Sequence, residues 1–111
     1  MKRYCQVLKL KENKELIDQY VKEHKTVWPE VKWGIKEVGI LDMQIYIKDN
    51  LLVMIVDTVD EFDWIKDNKR LATLPRQAEW ENYMARFQQG KVGMASHEKW
   101  QLMENIFKLN E

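Results

Sequence analysis

The chain has 111 residues, a length that suits one domain spanning residues 1–111. Its 18 basic and 18 acidic side chains balance and are interspersed, so the basic face that nucleic-acid binding requires is not indicated. No apolar run approaches the roughly 18–20 residues of a membrane span, and we expect neither a signal peptide nor a membrane partner. The lone cysteine, Cys5, excludes an intrachain disulfide and favours a cytoplasmic location.

The first half of the chain predicts a strand followed by one long helix. Residues 3–10 alternate in part and are rich in strand-forming side chains. Residues 12–37 carry apolar or aromatic side chains at three- and four-residue steps, which is the period of a helix with one buried face. Pro29 interrupts this pattern and predicts a kink or break near residues 25–29, and Gly39 is a plausible stop.

Residues 40–48 and 51–58 predict a β-hairpin whose turn is Asp49-Asn50. Alternation in the first strand separates an apolar face from a face that carries Asp42, Gln44 and Tyr46. The second strand is apolar on both faces, which predicts that both of its faces are covered.

The remaining segments predict a helix over 61–70 with Asp60 as its N-cap, a helix over 76–88, a loop at residues 90–93 and a closing strand over 99–109. His97 follows this glycine-containing loop and is expected to be solvated. The order β-α-β-β-α-β indicates an α+β, ferredoxin-like fold with both helices on one sheet face. The other sheet face needs cover, so we expect a homodimer in which two sheets pack face to face.

The residues that carry chemistry centre on His24. The sequence has no glycine-rich phosphate loop, and its two histidines lack metal-ligand spacing, so neither a cofactor nor a metal site is predicted. Tyr20 and His24 are four residues apart and share a helix face. Imidazole suits proton transfer near neutral pH, although a histidine on an apolar stripe is more often structural. Asp42, Tyr46 and Trp80 offer polar and aromatic pocket walls, and each also suits a core, surface or interface position.

Four segments resemble the L-rhamnose mutarotase family. They are Tyr20-x3-His24-x3-Trp28-Pro29-Glu30, the Ile45-Tyr46 pair that follows Gly39, residues 50–54, and Trp80-x2-Tyr83-Met84. The likeness covers residues 3–88 and implies a dimeric α/β-barrel isomerase that interconverts the α and β anomers of a 6-deoxyhexose without a cofactor.

The resemblance also implies roles for individual residues. Tyr20 and His24 match the active-site helix, with His24 as the principal acid or base and Tyr20 as its orienting or relaying partner. Tyr46 and Trp80 match pocket positions and are predicted to contact the sugar. Trp28 lies within the motif and is predicted to contact the sugar too, with a structural role as the alternative. Asp42 is assigned from its strand face, either to the sugar or to the second proton transfer, for which a water is the alternative.

The identity of the sugar and the class of function each have a second interpretation. Residues 62–80 look more like relatives that act on L-fucose than like the rhamnose enzymes, and hydrogen bonds from Asp42, Gln44 or Arg76 would decide between the two sugars. Ferredoxin-like dimers of this size also include monooxygenases and small-molecule-binding modules. A binding module would need the pocket but no titrating histidine.

Overall fold

Four antiparallel strands and five helices make up the part of the chain that the structure, a computed structural model, describes: residues 1–89 and 96–110. The strands are β1 (Lys2–Lys9), β2 (Ile40–Lys48), β3 (Leu51–Thr58) and β4 (Gln101–Leu102), in the sheet order β2-β3-β1-β4. The helices are α1 (Lys14–Glu23), α2 (Pro29–Glu37), α3 (Trp64–Ala72), α4 (Gln77–Ala85) and α5 (Ser96–Lys99). This order confirms the ferredoxin-like α+β prediction.

The predicted long helix is divided in two at Pro29, as its sequence indicates. Pro29 is the first residue of α2, where its missing N–H costs nothing. The preceding residue, Trp28, is extended (φ −58°, ψ 135°), because the proline ring disfavours helical geometry there. A single 3-10 turn, His24–Thr26, connects α1 to this extended segment. Helix α1 therefore ends at Glu23, and His24 follows directly as its C-cap.

The two faces of the sheet differ in burial. In β3, Leu52, Met54, Val56 and Thr58 are buried, and they alternate with side chains that are only half-buried. The strand register pairs Asp42 with Asp57, Gln44 with Ile55 and Tyr46 with Val53. The half-buried side chains of β3 and their partners on β2 belong to the sheet face opposite the helices, which we call the outer face. Its members include Arg3, Cys5, Val7, Asp42, Gln44, Tyr46, Val53, Ile55 and Asp57.

The core lies between the inner sheet face and the helices. It includes Tyr20 from α1, Val31 from α2 and Trp80 from α4, together with Phe87 just beyond α4. These side chains belong to the 3.6-residue stripes that the sequence shows on the helices. Because Tyr20 and Trp80 are core members, any site that they form is held by the packing of the fold.

Two sequence-based boundaries and one prediction of solvent exposure are wrong. Helix α3 begins after Asp63, whose side chain accepts a hydrogen bond from Lys66 N at 2.8 Å, so Asp63 rather than Asp60 is its N-cap. The closing strand is only Gln101–Leu102, because β1 pairs with it only at Gln6 and Val7. His97 lies in α5 and is half-buried rather than solvated. The predicted loop at 90–93 lies outside the described residues.

Candidate active site

Tyr20, His24 and Trp80 meet where α1 approaches α4. The ring centroids of Tyr20 and His24 are 4.3 Å apart, and those of His24 and Trp80 are 5.5 Å apart in an edge-on arrangement. The four-residue step along α1 places Tyr20 and His24 together, as the sequence predicts. Trp80 reaches them from a helix more than fifty residues later, so the tertiary fold completes this group.

The end of α1 fixes the tautomer and direction of the His24 ring. His24 Nδ1 lies 2.9 Å from the backbone oxygen of Tyr20, which also accepts a hydrogen bond from the His24 backbone N–H. A carbonyl oxygen only accepts, so Nδ1 carries the proton and donates it. The neutral ring therefore keeps an unprotonated Nε2, which is the atom that can accept a proton from a ligand.

Burial keeps this imidazole neutral near pH 7. It lowers the pKa of His24 below its usual value, because a charged ring would lose hydration. The hydrogen bond to the Tyr20 carbonyl and the nearby Glu23 oppose that shift but do not reverse it. In its resting state His24 is thus prepared to act as a base.

Tyr20 has the opposite character. Burial raises the pKa of its hydroxyl well above the ordinary value for tyrosine, and the charge of Glu81 acts in the same direction. A hydrogen bond from the Gln88 side chain partly opposes this shift. The phenol is therefore protonated at any physiological pH, so it can donate a hydrogen bond or a proton beside a neutral imidazole.

Two adjoining cavities border His24. The first has a volume of about 100 Å³, and the second, nearer the β2 edge, has about 380 Å³. They share Val27, Ile35, Met43 and Ile45 as well as His24, so the ring stands between them. The polar or titratable residues lining the first cavity are Tyr20, His24, Asn68, Gln77, Glu81, Gln88 and His97. Apolar walls with a few polar groups are typical of small-molecule sites.

Trp28 and Arg76 lie behind Trp80. The Trp28 and Trp80 rings are 5.1 Å apart, and the Arg76 guanidinium lies 4.1 Å from the centroid of the Trp28 ring. Arg76 also pairs with Glu30 at 3.4 Å and Glu79 at 3.6 Å. Neither Trp28 nor Arg76 lines a cavity that borders His24. Their contacts hold Trp80 in place from its far side.

Asp42, Gln44 and Tyr46 form a hydrogen-bonded row on the outer face. The Tyr46 hydroxyl donates to Gln44 Oε1 at 2.9 Å, and Gln44 Nε2 donates to Asp42 Oδ2 at 3.2 Å. Asp42 also borders the second cavity, whereas Gln44 and Tyr46 line neither cavity beside His24. Within one chain, the expected grouping of all three with His24 is not observed, because Met43 and Ile45 are the β2 residues that point inward.

The sequence reasoning missed several polar residues of the first cavity, such as Gln77, Glu81 and Gln88. It also missed Lys99, which does not line that cavity but contacts Glu81 and Gln88. The Lys99 side chain is only 2% exposed and lies 3.7 Å from the carboxylate of Glu81. Lysine is almost never fully buried unless it is paired. In a stretch rich in charged residues no sequence signal distinguishes this lysine from a solvated one, since its burial depends on the docking of α5 against α4.

Two further classes of site have no support among residues 1–89 and 96–110. No helix in these ranges is long and apolar enough to cross a membrane. Across the same residues no cluster of three or more His, Cys, Asp or Glu side chains is arranged to hold a metal ion.

A family profile and two relatives identify one family. The family profile described as L-rhamnose mutarotase matches residues 3–109. An L-fucose mutarotase from Xanthomonas campestris pv. campestris is 37% identical over 113 aligned residues, covering 100% of this chain and 90% of that protein. An L-rhamnose mutarotase from Paraburkholderia phymatum is 28% identical over 76 residues, 66% of each chain.

A solved structure supports the same fold. The crystal structure of an L-rhamnose mutarotase from Formosa agariphila superimposes with a TM-score of 0.73 at 20% identity, covering 98% of this chain and 99% of that one. The profile match and the full-length relative show the family directly, and the sequence motifs around His24 and Trp80 agree with them. The chain belongs to the L-rhamnose mutarotase family of isomerases.

Proposed function

We propose that the protein interconverts the α and β anomers of a 6-deoxyhexose, with His24 as general base and Tyr20 as general acid. The observation that carries this assignment is the paired state of the two side chains. The two rings are 4.3 Å apart at one cavity, and burial lowers the pKa of His24 and raises that of Tyr20, which favours a neutral imidazole beside a protonated phenol. Anomerisation needs one group of each kind.

The reaction is a balanced exchange of two protons. His24 Nε2 takes the proton of the anomeric hydroxyl while Tyr20 gives its proton to the ring oxygen, so the bond between C1 and the ring oxygen breaks. Rotation about C1–C2 turns the aldehyde over. On closure Tyr20 recovers its proton from the attacking hydroxyl and His24 returns its proton to the carbonyl oxygen. Both groups end as they began, and a positioned acid or base contributes about 10²–10⁴-fold to such a step.

We assign the remaining predicted site residues by their position. Trp80 would pack against the apolar face of the sugar, while Trp28 and Arg76 hold its indole from behind. Asp42, at the rim of the second cavity, would accept a hydrogen bond from a sugar hydroxyl that reaches past His24. Tyr46, exposed on the outer face, would contact a second subunit rather than the sugar of its own chain.

L-Fucose is the sugar that we propose first. The relative named for L-fucose aligns over the whole chain at 37% identity, whereas the one named for L-rhamnose aligns over 66% of it at 28%. The monooxygenase and binding-module interpretations have less support, because the family profile for mutarotases spans residues 3–109.

Saturation-transfer NMR tests the reaction and the sugar together. The anomeric proton of one form is saturated, and the loss of signal in the other form reports their exchange. We expect the protein to accelerate exchange of L-fucose more than that of L-rhamnose at equal concentrations. Acceleration of L-rhamnose alone would overturn the choice of sugar, and acceleration of neither would overturn the proposed activity. D-Glucose serves as a control for exchange by buffer or by nonspecific protein.

The pH profile tests the state of His24. Since burial lowers the pKa of His24, the base form is present above a value that lies below about 6.5, and protonation removes it as the pH falls. We therefore expect exchange to rise with pH through that region and to be flat between about pH 7 and 8. The measurement is the NMR exchange rate after subtraction of the buffer rate at each pH. A rate that falls as the pH rises from about 6 to 8 would show that the imidazolium is the active form.

We also propose that the protein is a homodimer. Apolar side chains remain uncovered at the C-terminal segment, where Ile106, Phe107 and Leu109 are 91%, 73% and 82% exposed. On the outer face, Tyr46 is 58% exposed and Val53 and Ile55 are only half-buried. A small domain with this much uncovered apolar surface gains stability from a second copy.

A cytoplasmic location is also proposed. Cys5 is a free, half-buried thiol, and free thiols are usual in a reducing compartment.

Sedimentation equilibrium tests the dimer. The variant Phe107→Asp places a charge among the exposed apolar side chains, and we expect it to sediment as a monomer while the parent protein sediments as a dimer. Ile65→Asp is the matched control, because Ile65 is also exposed, at 53%, but lies on α3. A monomeric parent protein, or equal weakening by both variants, would contradict the proposed interface.

A further inference from the structure

We propose that Lys99 is a positioning residue for the reaction: through the Gln88 side chain it holds the Tyr20 hydroxyl ready to give its proton to the sugar ring oxygen. The inference rests on the proposed function, in which Tyr20 is the general acid. It adds a residue from α5 that the sequence motifs of the family do not include.

The environment of Lys99 is built for a cation. Its Nζ lies 3.4 Å from Gln88 Oε1, 3.4 Å from the Glu81 backbone oxygen and 3.7 Å from Glu81 Oε2. An ammonium has three donors, and three oxygens surround this one. Removing a charge from water is costly unless such partners compensate for it, so these three oxygens stabilise the buried ammonium of Lys99.

Gln88 connects the ammonium to Tyr20. Gln88 is only 4% exposed, and its amide oxygen accepts a hydrogen bond from Lys99 Nζ. That contact decides the orientation of the amide, because only the oxygen can accept from an ammonium. The NH₂ group must then point away from Lys99. Gln88 and Tyr20 line the same cavity, where a hydrogen bond from Gln88 acts to lower the pKa of the Tyr20 hydroxyl. The phenol oxygen accepts this bond and keeps its own O–H for the cavity.

The positive charge of Lys99 stabilises the phenolate that forms when Tyr20 gives up its proton. When Tyr20 gives up its proton, a phenolate forms in a buried place, where negative charge is poorly hydrated. A hydrogen bond from an amide that an ammonium polarises is stronger than one from an isolated amide. Glu81 alone would oppose phenolate formation, and its pairing with Lys99 reduces that repulsion.

The decisive experiment is a double-mutant cycle between Lys99 and Tyr20, read by NMR exchange of the anomeric protons. Lys99→Met is expected to lower the exchange rate at saturating sugar by roughly 10–100-fold, the size of a hydrogen bond to a charged group. The sugar concentration for half-maximal rate should change by less than about threefold, because Lys99 does not touch the sugar. In a Tyr20→Phe background, Lys99→Met should cause no further loss, since the group on which it acts is gone. Losses that simply multiply would overturn the inference.

Two additional variants guard against a folding defect. Gln88→Met removes the connecting amide with little change in volume and is expected to reproduce the loss seen for Lys99→Met, without adding to it. Lys69→Met, at an exposed position on α3, is the matched control and should leave exchange unchanged. A fully active Gln88→Met protein would show that the lysine does not act through Gln88.

A readout that needs no activity separates this inference from the proposed function. With ¹³C-labelled tyrosine, the ring carbon that bears the hydroxyl of Tyr20 is assigned by its loss in Tyr20→Phe. Its resonance should move in Lys99→Met and return towards the parent position in Lys99→Arg. If the parent protein accelerates no sugar, the proposed function is wrong, and an unmoved Tyr20 resonance then overturns the Lys99 contact as well.

Discussion

Replacing His24 with alanine is expected to lower the rate of anomer exchange by about 10²–10⁴-fold, the usual contribution of one positioned acid or base. The loss has a single physical origin, since Nε2 of the neutral ring is the proton acceptor and alanine offers no substitute. The ring is half-buried and sits at a helix end, so its removal leaves the main core packing intact. The uncatalysed reaction still proceeds, and exchange in the variant should approach the buffer rate.

His97→Ala is the matched control for this substitution. His97 lines the same cavity as His24 but is not part of the Tyr20–His24 pair, and we expect at most a modest loss of rate. Circular dichroism on both variants establishes that they are folded. If His24→Ala kept the full exchange rate in a folded protein, or if His97→Ala lost more, the base would have to be assigned elsewhere.

The part of the site that the sequence predicts is the part that depends on local periodicity. Tyr20 and His24 are four residues apart on a strongly periodic helix, so their contact follows from helix geometry alone. Pro29 likewise predicts a break in the long helix, and α1 ends at Glu23 with His24 as its C-cap. Both predictions depend on residues that are close together in the sequence.

The part that could not be predicted depends on which elements meet. Alternation along β2 correctly separates Asp42 and Tyr46 from Met43, but it does not say which of the two faces receives the helices. The sequence predicts that the polar face contributes to the pocket; in the structure Met43 and Ile45 of the apolar face line the first cavity, and Asp42 borders the second. Gln88 and Lys99 meet only after α4 and α5 have packed, and a polar residue near a predicted loop gives no sign of such burial.

The closing strand shows the same limit. Apolar and aromatic residues at Trp100, Leu102, Ile106 and Phe107 predict burial against a sheet. Trp100 is buried in the core, but Ile106 and Phe107 are exposed in a single chain. An apolar pattern predicts that a segment is buried, but it does not show whether its own chain or a second chain buries it. The proposed homodimer gives that pattern a reason.

Phe87→Ala is expected to reduce the free energy of unfolding by about 3–5 kcal/mol, the cost of emptying a fully buried aromatic position. Phe87 is 0% exposed, and its ring meets Tyr20 edge-on at 5.9 Å and Tyr83 at 5.7 Å. The contact with Phe87 also supports the ring of Tyr20, whose hydroxyl we place in the reaction. A cavity at this position therefore removes stability from the core and lets Tyr20 settle away from His24.

Urea unfolding followed by tryptophan fluorescence measures the loss, and NMR exchange under native conditions measures its effect on the site. Phe87→Leu is the matched variant, because it keeps an apolar side chain in place and should lose roughly 1–2 kcal/mol. We expect exchange to fall further in Phe87→Ala than in Phe87→Leu at a temperature where both are folded, since only the larger cavity frees the Tyr20 ring. Equal exchange rates in the two variants would show that Tyr20 is held by Gln88 and the helix alone, and that Phe87 supports the fold without aligning the site.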